Sequence, residues 1–252
     1  MKVEEKYIWI IGSSEGIGRS LAYQLGVAGA NIAVSARNQE RLKQLTSSLS
    51  GTRHLAVPMD VTDINSIMQG YRYIRRRWPH IDMVIYNTST YVPMRAQEMD
   101  LSTAEFLIDT NLTGAFRIAS MITPHFLRRD KGHFVIVSGD AGSRGLPDTM
   151  GYGASKAGLI HFAESLYLDL LPTGIGVQIA NPPFDHRKSN LSGTGSPFAL
   201  SPESAAQYIV DGIRYGPFEI EFPRRYMWKT KLRKIFSYER YFPLINREHK
   251  LR

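Results

Sequence analysis

Short apolar runs alternate with amphipathic stretches of helical period along this chain, and that alternation narrows the fold more than any other feature. Tyr7–Ile11 is apolar throughout and stops at Gly12. A strand covered on both faces reads this way. Residues 17–28 follow with Ile17, Leu21 and Leu25 on one helical face, and Gly29 closes the helix. The same reading places strands at Asn31–Ser35, Leu55–Met59, Ile81–Tyr86, Gly132–Ser138 and Val177–Ala180, with a last one at Phe218–Phe222. Helices are predicted at Glu40–Leu49, Ile64–Arg77, Ala104–Leu127, Tyr152–Leu171 and Ser201–Tyr215.

Repeated strand–helix units imply a parallel sheet with helices on both faces, and right-handed crossovers leave few topologies. The expected fold is α/β, a doubly wound Rossmann-type sheet. Hydrophobic residues make up 43% of the 252, enough for one full core. One domain is expected over residues 1–222, followed by a tail over 223–252. The net charge of +8 resides in that tail. Residues 1–222 hold 21 Lys/Arg and 21 Asp/Glu, whereas 223–252 hold 10 Lys/Arg against Glu239 and Glu248. A basic nucleic-acid-binding core is therefore excluded, and no nucleic-acid motif is present. The chain has no cysteine, which rules out disulfides and cysteine–metal sites. Its first residues lack a secretory pattern and no apolar run approaches the ~20 residues of a membrane span. A cytoplasmic location is expected.

The first strand turns into its helix through Gly12-Ser13-Ser14-Glu15-Gly16-Ile17-Gly18. Gly12 permits the tight turn, Gly16 removes a side chain where backbone would meet a pyrophosphate, and Gly18 lets the helix lie close to the sheet. The helix N-terminus offers free N–H groups to phosphate, and Ser13 and Ser14 add hydroxyls. The second strand ends at Ala36-Arg37 rather than at a carboxylate. A 2′-phosphate would meet no repulsion there and would find a guanidinium, so NADP is the expected cofactor; a solvated surface arginine is the plain alternative. Asp60, with Val61, follows the third strand and either faces an adenine amino group or caps the next helix.

Tyr152-Gly153-Ala154-Ser155-Lys156 sets a phenol and an ammonium four residues apart on one helix face. A phenol titrates near pH 10, and a neighbouring ammonium is expected to lower that value. Taken with Gly12-x-x-x-Gly16-Ile17-Gly18, Asp60, Asn87, Asn111 and Ala141-Gly142, this order and spacing resembles the short-chain dehydrogenase/reductase family over roughly residues 6–222. The resemblance implies hydride transfer between NADP(H) and a carbonyl or alcohol, most simply a ketone reductase. It implies Tyr152 as proton donor or acceptor, Lys156 as the group that tunes it and binds the nicotinamide ribose, Asn111 as holder of a relay water, and Asn87 beside the cofactor. It also implies a homodimer or tetramer.

Three departures from the pattern stand out. The family's Asn-Asn-Ala-Gly is replaced by Tyr86-Asn87-Thr88-Ser89, and its Pro-Gly by Pro182-Pro183. The family's catalytic serine, thirteen residues before the tyrosine, falls on Gly139. Ser138 is the adjacent candidate, yet strand alternation points it to the opposite face; Ser143 is a second one. If Ser138 has not taken the role, Gly139→Ser is expected to raise activity. A protein that binds NADP without efficient turnover is the rival reading.

Phe184–Leu200 is expected to cover the substrate, with Phe184, His186, Arg187, Lys188, Leu191 and Phe198 available to it. In the tail, Trp228, Leu232, Ile235 and Phe236 share one helical face and Met227, Lys231 and Lys234 another. Such a helix either lies on anionic lipid, which suits a lipid-like substrate or a scaffold role at a membrane, or docks on the core or a second subunit.

Overall fold

The computed structural model describes residues 2–183, 200–223, 232 and 235–249. Seven parallel strands form one sheet in the order β3-β2-β1-β4-β5-β6-β7. They are β1 (Tyr7–Ile11), β2 (Asn31–Ser35), β3 (Leu55–Ala56), β4 (Met83–Tyr86), β5 (Gly132–Val137), β6 (Ile175–Ala180) and β7 (Glu219–Ile220). The helices are α1 (Gly16–Val27), α2 (Gln39–Ser48), α3 (Ile64–Arg75), α4 (Leu101–Ile108), α5 (Gly114–Arg129), α6 (Met150–Leu170), α7 (Pro202–Tyr215) and α8 (Tyr238–His249). This is the doubly wound Rossmann-type arrangement that the alternation implies.

Each strand feeds two cores because successive side chains point to opposite faces. Ile8 and Ile10 join Leu21, Leu25, Leu42 and Ile209 on one side of the sheet. Trp9 and Ile11 join Ile67, Ile118, Phe126 and Leu159 on the other. The strand order reverses between β1 and β4, and in such sheets the crevice at the carboxyl ends of those two strands receives ligands. The close approach that shapes this crevice is made possible by Gly18. A Cβ there would overlap the Gly12 carbonyl oxygen and lie 2.7 Å from Asn87 Nδ2.

Strand ends differ modestly from the sequence reading. Leu55–Met59 pairs as a strand only over Leu55–Ala56, at the sheet edge, although Val57 and Met59 still donate to Val34 and Ala36 of the neighbouring chain segment. Phe218–Phe222 is likewise reduced to Glu219–Ile220 on the opposite edge. The larger correction concerns Ala104–Leu127, which is not one helix. A π-helical turn, Asp109–Thr113, interrupts it. Such a turn frees a backbone carbonyl, and here the Tyr86 hydroxyl donates to that of Thr110 at 2.7 Å. Gly114 leaves room for the phenol, since a Cβ at 114 would stand 2.5 Å from the Tyr86 oxygen. The periodicity of apolar residues carries no trace of a tertiary hydrogen bond, so the break is invisible in it.

The predicted amphipathic helix around residues 222–236 and the substrate-covering segment Phe184–Leu200 fall almost wholly outside the described residues. Beyond them, α8 folds back onto the core. The Arg144 guanidinium lies over the rings of Tyr238 and Tyr241, at 4.8 and 4.1 Å, and donates to the Phe236 carbonyl at 2.7 Å. The buried Tyr241 hydroxyl in turn donates to the Gly145 carbonyl at 2.7 Å. Among the described residues no helix is long and apolar enough to cross a membrane.

Candidate active site

A cavity of about 1080 Å³ opens at the carboxyl ends of the central strands. Gly12, Ser14, Gly16 and Ile17 line one part of it and Tyr152, Lys156, Ser138 and Gly139 another. Asn87 and Asp60-Val61 lie on its wall. The structure thus brings together most of the residues that the sequence singles out, from five separate stretches of chain.

The nucleotide end suits a phosphate. A Cβ added at Gly16 would meet nothing within 4 Å, so the turn faces open space there. Ser13 does not share this face; it is fully buried, and its hydroxyl donates back to Ser35 and Ile10 carbonyls at 3.2 and 3.3 Å. Its part is to close the turn. Gly18 and Asn87 also act on the turn, Asn87 Nδ2 donating to the Gly12 carbonyl at 2.7 Å. Asp60 accepts from the Thr62 N–H at 2.9 Å and the Thr62 hydroxyl at 2.8 Å. It organises the segment before α3, whose N-cap is Asp63.

Arg37 is exposed at the end of β2 beside the uncharged Ala36, and both line the cavity. The sequence reading missed a second cation. Arg41, one helical turn further along, lines the same cavity and pairs with Glu15 at 2.8 Å, both side chains well exposed. An exposed ion pair of this kind is worth under about 1 kcal/mol, so Arg41 can exchange Glu15 for a phosphate at little cost.

At the chemical end, Tyr152 and Lys156 occupy the first turns of α6. The Lys156 ammonium lies 5.5 Å from the centroid of the Tyr152 ring and donates to the Val137 carbonyl at 3.3 Å. Burial decides both titrations. Lys156 is 1% exposed, and loss of hydration pulls its pKa down to about 7. The phenol is pushed up to about 12 by burial, against a lowering hydrogen bond from the Ser89 side chain and with a further raising effect from Asp140. The expectation that Lys156 lowers the phenol pKa is not met, because an amine stripped of water is itself reluctant to carry the charge that would do so.

Asn111 sits in the π-helical turn and is completely buried. Its carbonyl accepts from the Thr90 N–H at 2.7 Å, and its amide donates to the Thr90 carbonyl at 2.9 Å and to Ser155 Oγ at 3.0 Å. Both amide hydrogens are therefore committed to the protein. Asn111 staples the loop after β4 to α6.

Ser138 is 3% exposed, and its hydroxyl donates to the Lys156 carbonyl at 2.8 Å. Its proton holds α6 against β5. The next residue departs from strand geometry: Gly139 has φ +151° and ψ +157°, a region that essentially only glycine enters. A Cβ at 139 would lie 3.8 Å from the Tyr152 hydroxyl. A side chain at 139 would therefore face the phenol. Gly139→Ser would add backbone strain of about 1–3 kcal/mol along with a donor.

The short-chain dehydrogenase family model matches residues 6–187. The chain is 32% identical over 231 residues to an uncharacterized oxidoreductase of Myxococcus xanthus, covering 90% of each chain. It is 28% identical over 187 residues to the 3-oxoacyl-[acyl-carrier-protein] reductase of Escherichia coli, covering 73% of this chain and 75% of that one. In fold it is similar to a single-residue variant of actinorhodin polyketide ketoreductase with NADPH, with a TM-score of 0.75 at 23% identity over 84% of this chain and 91% of the other. The chain belongs to the short-chain dehydrogenase family of oxidoreductases. Members of that family use nicotinamide cofactors, act on small molecules and often form oligomers.

The buried lysine makes stability depend on pH in a definite sense. Below about pH 7 Lys156 is charged in both folded and unfolded states, and the folded state bears the full desolvation penalty. Between pH 7 and 10.5 the unfolded chain binds the extra proton, so the penalty fades as pH rises. Lys156→Met should therefore unfold at a higher temperature than the wild type at pH 6, with the gap closing above pH 10. Equal melting temperatures at pH 6 would show that the amine is hydrated.

Proposed function

We propose that the protein is an NADP-dependent carbonyl reductase in which Tyr152 delivers a proton to the substrate oxygen. The observation that carries this reading is a phenol held protonated by burial, beside a fully buried amine, in the same cavity as a glycine turn suited to a pyrophosphate. A phenol whose pKa is about 12 stays in its donor form at neutral pH, which favours reduction over oxidation. The cofactor, when bound, supplies the hydride. Donation leaves Tyr152 as a phenolate. Lys156, poised near pH 7, can carry positive charge at that moment and return a proton. Asn111 and Ser138 act one step back, holding the loop after β4 and the first turns of α6. The acyl-carrier-protein reductase among the similar proteins supports a ketone or aldehyde as substrate.

A panel of ketones and aldehydes with NADPH tests this directly. Tyr152→Phe should remove turnover by at least ~10²-fold while leaving NADPH affinity within about threefold. Near-wild-type reduction of a substrate by Tyr152→Phe would show that another group is the acid.

Preference for NADP(H) rests on Arg37 and Arg41 flanking the cavity beside the uncharged Ala36. NADPH should bind at least ~10-fold more tightly than NADH, or ~1.4 kcal/mol, and Arg37→Ala should erase most of that difference. Equal wild-type affinities, measured by fluorescence titration, would remove the proposal.

A second reading concerns the C-terminal segment. Leu232, Ile235 and Phe242 are 45%, 78% and 60% exposed. The net charge of residues 223–252 is +8. Exposed large apolar side chains within a basic segment support peripheral binding to anionic lipid. The full chain should sediment with vesicles of about 30% phosphatidylserine, whereas Ile235→Asp/Phe242→Asp should remain in the supernatant. Equal sedimentation of both would discard the membrane reading.

A further inference from the structure

The pattern that the catalytic tyrosine belongs to leaves one functional group unaccounted for. A hydroxyl attached at position 139 would reach the Tyr152 phenol, whose oxygen is 3.8 Å from where that Cβ would stand, and Gly139 provides none. The Ser138 proton is spent on the Lys156 carbonyl. A second departure from the pattern lies on the facing loop, where Ser89 stands among the residues that replace Asn-Asn-Ala-Gly. The two departures meet at the same phenol.

We propose that Ser89 is a catalytic residue, its hydroxyl presented from the loop after β4 into the cavity beside Tyr152, where it takes over from the side chain missing at 139 and holds the substrate carbonyl oxygen against the phenol. Three observations place it there. Ser89 is exposed to the cavity while Tyr152 is 8% exposed, so the serine borders the space that a carbonyl must enter. Both side chains line the same cavity, and the Ser89 hydroxyl acts on the phenol, opposing the upward push of burial on its pKa. Its loop is pinned on both sides: Asn87 Nδ2 donates to the Gly12 carbonyl at 2.7 Å, and Asn111 holds both the N–H and the carbonyl of Thr90. A hydroxyl on so fixed a loop is preorganised, which is what a donor to a developing oxyanion requires. The proton to the product still comes from Tyr152; Ser89 donates a hydrogen bond and keeps its own proton.

This rests on Tyr152 as the acid, and the test separates the two. With a substrate that the wild type reduces, Ser89→Ala should lower kcat by about 10²-fold, with NADPH affinity and melting temperature unchanged. Ser89→Thr, which keeps a hydroxyl, should recover most of the loss. A Ser89→Ala enzyme within about threefold of wild type overturns the assignment while leaving Tyr152 untouched. If the wild type reduces no carbonyl, the oxidoreductase chemistry proposed above fails, and Ser89 is judged by NMR instead. In protein labelled at tyrosine Cζ, the resonance that disappears in Tyr152→Phe should shift in Ser89→Ala and return in Ser89→Thr. An unmoved resonance overturns the proposal on its own.

Discussion

The buried side chain of Asn111 is the contact on which the rest of the site depends. Three of its hydrogen bonds join three elements that are distant in sequence: the π-helical turn that carries it, the backbone of Thr90 and the Ser155 hydroxyl on α6. An unpaired amide in such a place would cost roughly 1–3 kcal/mol, so the three elements hold one another in register. The π-helical turn exists because Tyr86 satisfies the carbonyl that it releases, and Gly114 leaves room for the phenol. A hydrogen bond from the end of β4 therefore decides where a helix bends, and the bend decides where Asn111 points.

The second constraint is dryness. Tyr152 and Lys156 are both largely removed from water, and each is pushed toward its neutral form, the phenol up and the amine down. The loop that follows β5 is held over this site from behind. Leu146 packs against Tyr152 and Ala141, and the same loop is gripped by Arg144 between Tyr238 and Tyr241. The described part of the C-terminal segment thus contacts the loop that packs behind Tyr152.

Much of this was legible in the amino-acid sequence. The parallel sheet follows from apolar strands buried on both faces, which leave a period and a composition that can be read directly. The glycine turn and the Tyr152–Lys156 pair are local, since their members lie within one turn or one helix face, and so their spacing is their geometry. The count from Tyr152 back to Gly139 needs only the sequence, whereas the nearness of a side chain at 139 to the phenol is a property of the fold. The uncharged end of β2 with its arginine was likewise visible as a pattern of charge.

Other decisions belonged to the tertiary structure, and they share a cause: each depends on which atoms from remote segments meet. Whether Ser13 faces a phosphate or the sheet, and whether Ser138 serves a carbonyl or the Lys156 backbone, is set by a partner across the sheet. The glycine-only backbone at 139 is a torsion that no residue count reveals. Arg41 and Ser89 join the cavity through folding of α2 and of the β4 loop, with no motif to announce them. Burial sets the titration of Tyr152 and Lys156, and burial is a property of everything that surrounds them. The chain alone determined which chemistry it could hold, because covalent spacing fixes neighbours on one element. Only the packed structure decided which side chains share a cavity with the phenol, because that depends on the convergence of loops more than fifty residues apart.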